Sequence, residues 1–204
     1  VRMQLRRAGA MPWNFCKESG TTLGLFSRRR GNRQVVQRQY GVITTTARQP
    51  CFYTDYNVPD TVMGRFEMLS SVMILFLWRT AKSSDSGKQL SQEVVDAFFL
   101  DIDYSIRELG VGDNSVPKRM KKLAGMFYGR LERYVRCLQD RDLGQLAIAL
   151  SQNFHGVDSE PVDMAELARW MLANADHLGR MDEVMVETGM VSFLVPECTE
   201  ATRG

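Results

Sequence analysis

The chain has 204 residues, 44% hydrophobic and 25% charged, a size and balance that suit one globular domain with a full core. Its formal net charge of only +2 argues against a dedicated nucleic-acid-binding domain, which would be strongly basic. Four cysteines (Cys16, Cys51, Cys137, Cys198) lie far apart with no Cys-x-x-Cys spacing, so neither a zinc site nor a disulfide frame is expected, and free thiols in a reducing compartment are.

The small net charge hides a gradient. Residues 1–38 carry nine Lys/Arg and one acid, whereas residues 155–204 carry ten acids and three Lys/Arg. Residues 1–33, with Arg2, Arg6, Arg7, Arg28, Arg29, Arg30 and Arg33 among Gly, Ser and Thr, are expected to form a disordered basic extension ahead of a helical domain over 34–204. No apolar run there has the length of a secretory signal, although an Arg-rich, acid-poor start also fits a mitochondrial transit peptide. Initiation at Met3, Met11 or further in is the alternative to a genuine tail. A translated tail would suit anionic headgroups or RNA phosphates.

Gln34 to Gln49 is predicted as a helix ended by Pro50, and CFYTDYNVP as a loop anchored by Phe52, Tyr53 and Tyr56. Asp60 or Thr61 is placed to cap the next helix, lined by Val62, Phe66, Leu69, Met73 and Phe76. From Val72 to Trp78 that helix is apolar nearly all round. With Glu67 and two serines it falls short of the roughly 20 apolar residues needed to span a bilayer, so it reads as a central buried helix. Lys82 to Lys88 (KSSDSGK) is a polar connector.

The best-defined stretch comes next. Val94, Val95, Phe98, Phe99, Ile102, Ile106 and Leu109 recur at three- and four-residue steps and form one helical face. Gly110 follows, suited to a left-handed helix end. Asp113 or Ser115 can cap a second helix with Pro117 in its first turn, and Val116, Met120, Leu123, Phe127, Leu131, Tyr134 and Leu138 form its apolar stripe. So short a turn makes the two helices an antiparallel hairpin. Beyond it, Leu143, Leu146, Ala147, Leu150 and Phe154 predict a short helix, and HGVDSEP a loop. Met164, Leu167, Ala168, Met171, Leu172 and Leu178 predict another helix. A short helix follows from Met181, then Met190 to Val195 in irregular or extended form. The fold class is all-α: one domain of about six to seven helices around the central hairpin.

The polar residues of the hairpin have two readings each. Asp101 and Asp103 are poor interior helix formers; Asp103 and Arg107 at i,i+4 can pair for about 0.2–0.5 kcal/mol, and Lys121 or Lys122 can reach back across the hairpin. As a divalent-metal pair the two acids fail, because residues two apart on a helix face different ways. An isoprenoid-type enzyme would need a second acidic motif on a facing helix, and none is present. Gly110-Val111-Gly112-Asp113 lacks a preceding strand and a following Gly-Lys-Ser/Thr, so it is a connector and not a phosphate loop. His155 and His177 are isolated and give neither metal nor triad spacing. Gly125 and Gly129, four apart, permit a close helix approach, either within the domain or by a partner's helix. The basic start Lys118, Arg119, Lys121 and Lys122 is either a solvated face or a contact for RNA or anionic lipid. Ten methionines after residue 60 are either core or an adaptable apolar surface.

The run LDIDYSIRELGVGDNSVPKRMKKLAGMFYGR resembles the signature of the ubiquinol–cytochrome c chaperone family, assembly factors for respiratory complex III. Tyr40-Gly41 and the block ARQPCFYTDYNVPDTVMGRFEML, from Ala47 to Leu69, are similar to that family's amino-terminal half. The resemblance implies a non-enzymatic protein without cofactor, metal or small-molecule substrate. Its implied partner is newly made cytochrome b, with the ribosome, a small helper subunit and peripheral membrane contact as further partners. A bacterial cytoplasmic location is implied, or for a mitochondrial relative the matrix. The candidate partner-binding set is Asp101, Asp103, Arg107, Glu108, Asp113, Lys118, Arg119, Lys121, Lys122, Gly125, Tyr128 and Gly129. The competing reading is a nucleic-acid-binding helical protein using the basic helix 116–138, since helix, short turn and basic helix are also the parts of a helix-turn-helix.

Overall fold

The computed structural model describes residues 25–110, 112–154 and 161–198, with side chains from residue 32 onward. Its helices are α1 (Leu25–Ala47), α2 (Pro50–Thr54), α3 (Val62–Thr80), α4 (Asp85–Glu108), α5 (Val116–Asp140), α6 (Leu143–Phe154), α7 (Ala165–Gly179) and α8 (Glu183–Glu187). The two five-residue helices, α2 and α8, are little more than single turns, which leaves six substantial ones, and no strand occurs among the described residues. The expected all-α architecture is therefore what forms.

α3 is the axis of the molecule. Met68 and the run Val72 to Phe76 have no exposed surface, because α1, α4, α5, α6 and α7 all pack around this helix. The Thr61 side chain caps it by accepting from the Gly64 amide at 3.0 Å. A Cβ on Gly64 would collide with the Pro59 carbonyl, so the tight entry into α3 requires glycine there. One charge is buried with the apolar residues. Glu67 pairs with Arg130 of α5, whose Nη2 donates to Oε1 at 2.5 Å while Nε lies 2.5 Å from Oε2 without hydrogen-bond geometry.

Several local features differ from the sequence reading. α1 begins at Leu25, not Gln34, so its basic run joins a helix instead of a disordered segment; arginine is a good helix former, and Val36, Ile43 and Ala47 further along bury against the core. Residues 1–24 lie outside the described residues, as do His155 and most of the HGVDSEP loop. Pro50 ends α1 as expected but also opens α2, since its fixed φ suits a first helical turn. α4 starts at Asp85, inside the expected polar connector, with Ser84 accepting from the Gly87 amide at 3.2 Å. Ser115 occupies the N-cap position of α5 without a side-chain cap bond.

The acidic final quarter has a structural use. Glu183 of α8 accepts from the Ser84 amide (2.9 Å), the Ser83 hydroxyl (3.2 Å) and Arg79 (3.1 Å), and Glu187 accepts from the Ser84 hydroxyl (2.7 Å). Both carboxylates sit at the N-terminus of α4, where the helix dipole favours negative charge.

Residues 190–198 then run back as an extended strap. Gln39 brackets Val191, donating to its carbonyl at 3.2 Å and accepting from its amide at 3.0 Å. The Leu194 amide donates to Asn174 at 2.9 Å and its carbonyl accepts from Trp170 Nε1 at 3.0 Å, while the Glu197 amide donates to the Tyr56 hydroxyl at 3.0 Å. The strap ends on a disulfide between Cys198 and Cys51 of α2, with the Cα atoms 5.5 Å apart. This corrects the expectation of free thiols for that pair: a bridge between residues 147 positions apart is set by the path of the strap and leaves no local spacing to read. Cys137 is buried and free.

Candidate partner-docking site

The α4–α5 hairpin forms as the apolar spacing requires. Gly110 takes φ +75° and closes α4, and Pro117 stands in the first turn of α5. Leu109, expected on the buried face, is instead 60% exposed, because the helix ends there and the chain turns away. The turn is held by one cation. Arg107 Nε donates to Asp103 at 2.7 Å, one helical turn back, and its Nη1 donates to Asp113 at 2.6 Å across the turn. Asp113 thus pairs with Arg107 rather than capping α5. Arg107 and Asp113 are exposed and Asp103 is half-buried, so solvent screens both contacts and they add little to stability.

Asp101 has a different neighbour. It accepts from the Tyr40 hydroxyl of α1 at 2.7 Å, and burial together with this bond pushes the Tyr40 phenol far above its ordinary range. The Asp101 and Asp103 carboxylates therefore serve two separate contacts, one to α1 and one to Arg107.

Asp101 also lines a groove of about 830 Å³ at this end of the molecule. Ala47, Phe66, Leu69, Ile102, Ile106 and Leu123 supply its apolar surface from α1, α3, α4 and α5, with Val62 (65% exposed) and Leu109 on the rim. Arg48 and Glu108 add one charge of each sign. Arg65 is fixed at the wall: its Nε donates to Asp60 at 2.6 Å, and its guanidinium lies 5.9 Å from the centre of the Tyr53 ring. That bond holds the Asp60 carboxyl below the usual carboxylate range. Tyr53 is tied in turn to the Ala47 carbonyl at 2.8 Å. Of the expected site residues, only Asp101 and Glu108 reach the groove. The α1–α3 wall (Arg48, Tyr53, Arg65, Phe66) was missed as a site; its one signal was the aromatic loop between two prolines.

The outer face of α5 is a second surface at the same end. Lys118, Arg119, Lys121 and Lys122 are all exposed, and among the described residues none of their side chains makes an ion pair or hydrogen bond. Neither Lys121 nor Lys122 reaches back across the hairpin. Gly125 and Gly129 are exposed, and a Cβ on either would meet nothing within 4 Å. Packing within the domain is thus no reason for these glycines. Tyr128 stands between them, 39% exposed, with its ring 6.0 Å from that of Phe99.

A helical glycine costs about 1 kcal/mol against alanine. Gly125→Ala and Gly129→Ala are therefore each expected to raise stability by about 0.5–1 kcal/mol in urea unfolding. A loss of stability would instead show that the fold needs both positions bare.

The sequence matches the family described as Ubiquinol-cytochrome C chaperone over residues 54–193, which include the hairpin and the outer face of α5. Among solved structures, the Cbp3 homolog from Brucella abortus is similar: 41% identical, with a TM-score of 0.76, over 83% of this chain and 94% of that one. None of the curated proteins matches. A family match over most of the chain and a solved relative of 41% identity together show that the chain belongs to the ubiquinol–cytochrome c chaperone family.

Proposed function

We propose that the chain is a non-enzymatic assembly chaperone for the ubiquinol–cytochrome c reductase complex, and that it captures newly made cytochrome b at the hairpin end of the molecule. The observation that carries this reading is the outer face of α5, where two open glycines and four cations have no side-chain partner among the described residues. Bare glycines at i,i+4 let another helix approach closely, which suits a client made of membrane helices. The adjoining groove offers apolar surface to segments that have not yet found their partners. The cations suit the surroundings in which such a client appears, anionic headgroups or ribosomal RNA.

In this reading Lys118, Arg119, Lys121, Lys122, Gly125, Tyr128 and Gly129 touch the client directly, and Asp101 and Glu108 flank it in the groove. Asp103, Arg107 and Asp113 hold the turn that sets the two helices. No helix among the described residues is long and apolar enough to cross a membrane; the membrane contact in this reading is the peripheral one that the family resemblance implies. A small helper subunit and the ribosome are further partners that the family implies.

Deleting the gene is expected to lower assembled complex III while cytochrome b message stays normal, measured by native gel and transcript level. Unchanged complex III would overturn the reading. Salt-steep DNA or RNA binding by residues 25–204, lost on Lys121→Glu with Lys122→Glu, would favour the nucleic-acid alternative.

A further inference from the structure

We propose that Cys51, Asp55 and Cys198 form a zinc-binding site whenever the Cys51–Cys198 disulfide is reduced, so that the strap is fastened to α2 either by a covalent bond or by a metal ion. The site is separate from the hairpin surface and stands on its own observations. Cys51 and Asp55 are one helical turn apart, and the Asp55 amide closes that turn on the Cys51 carbonyl at 2.8 Å. Cys51 Sγ lies 3.8 Å from Asp55 Oδ2, and the three potential ligand atoms all lie within 4.8 Å of one another.

A tetrahedral zinc ion with Zn–S arms of about 2.3 Å and a Zn–O arm of about 2.0 Å places its ligand atoms about 3.5–3.8 Å apart. The Cys51 Sγ–Asp55 Oδ2 separation of 3.8 Å is already on that scale, and reduction frees the two sulfurs to move apart to it. Two thiolates and one carboxylate make a donor set that suits zinc over the hard cations magnesium and calcium. Cys51 is buried, which shields one side of the site. Cys198 is delivered without help from the disulfide, because the Leu194 and Glu197 main-chain bonds to Asn174, Trp170 and Tyr56 hold the strap up to the preceding residue.

The chemistry balances with a cellular dithiol as reductant. The dithiol passes two electrons and two protons to the Cys51–Cys198 bond and becomes a disulfide itself, leaving two thiols. Zinc then displaces both thiol protons to solvent, the Asp55 carboxylate supplies the third ligand, and a water completes the tetrahedron. A small-molecule disulfide re-forms the Cys51–Cys198 bond by thiol–disulfide exchange, taking up the two electrons and two solvent protons to become two thiols, and the ion is released.

The test uses the full chain, reduced with a phosphine, desalted without oxygen and titrated with Co²⁺. One equivalent should give an intense near-ultraviolet thiolate-to-cobalt band and the visible spectrum of a tetrahedral ion, both removed by Zn²⁺. The unreduced chain should give neither. Cys198→Ser and Cys51→Ser should each abolish the band at unchanged helix content, Asp55→Asn should weaken binding by about tenfold, and Cys16→Ser should change nothing. Absence of the band in the reduced wild-type chain overturns the proposal. So does a band that survives in Cys198→Ser, a change from sulfur to oxygen of nearly the same size at the end of the strap.

Discussion

Arg130→Met should destabilise the chain by about 3–5 kcal/mol at pH 8, read from urea unfolding, because it leaves the Glu67 carboxylate buried without its partner. The Glu67 side chain is 1% exposed and that of Arg130 10%, so water cannot take over the lost contact. Replacing both, as Glu67→Met with Arg130→Met, should bring the stability back to that of the wild type or above it, since the cost of burying two charges disappears with them. A single-variant loss below about 1 kcal/mol would mean that Glu67 reaches solvent or another donor.

The same carboxyl sets a pH dependence. Burial pushes Glu67 up to about 7, against the opposing pull of Arg130, from an ordinary value of 4.5. The folded chain therefore holds a proton that the unfolded chain has already released over the window between these values. Stability should fall as pH rises from about 4.5 to about 7, by up to ~3 kcal/mol, and level off above that. The double-methionine variant should lose this slope. Wild-type stability that rises through the window would show the opposite sign.

Reversing Lys118, Arg119, Lys121 and Lys122 to glutamate should weaken capture of the proposed client, newly made cytochrome b, by about tenfold or more, as measured by crosslinking yield from native membranes. The fold should not suffer. None of the four side chains has a partner among the described residues, and all lie in the first two turns of α5, which has no acid in its first turn. Cations at a helix N-terminus oppose the helix dipole, and acids there stabilise by about 0.3–1 kcal/mol each, so the variant should be as stable as the wild type or more so. Weaker capture joined to equal or greater stability separates a docking surface from a structural one. A collapse of helix content would place these residues in the fold itself.

The hairpin was readable because both its helices repeat apolar residues at 3.6-residue spacing and because Gly110 and Pro117 mark its turn by backbone geometry alone. The buried character of α3 was readable from its apolar run. Capping was less so: Ser115 stands at the right position, but its hydroxyl accepts no amide, and Asp113 is taken by Arg107. Leu109 fits the apolar period and still lies exposed, since periodicity does not report where the neighbouring helix stops.

What the residues determined alone was local: which segments coil, where glycine and proline end them, and which stripe of each helix is apolar, because these follow from backbone sterics and side-chain period. The same residues in family order also marked the lineage. Tertiary structure decided everything that joins distant positions. It closed Cys198 onto Cys51, set Arg130 against Glu67, and built the groove wall from α1, α2 and α3. It also left Gly125 and Gly129 open to solvent, and only there could close packing within the domain be told from an unfilled surface. Contacts of this kind depend on how helices cross in space, and a pattern along one helix contains no information about its neighbours.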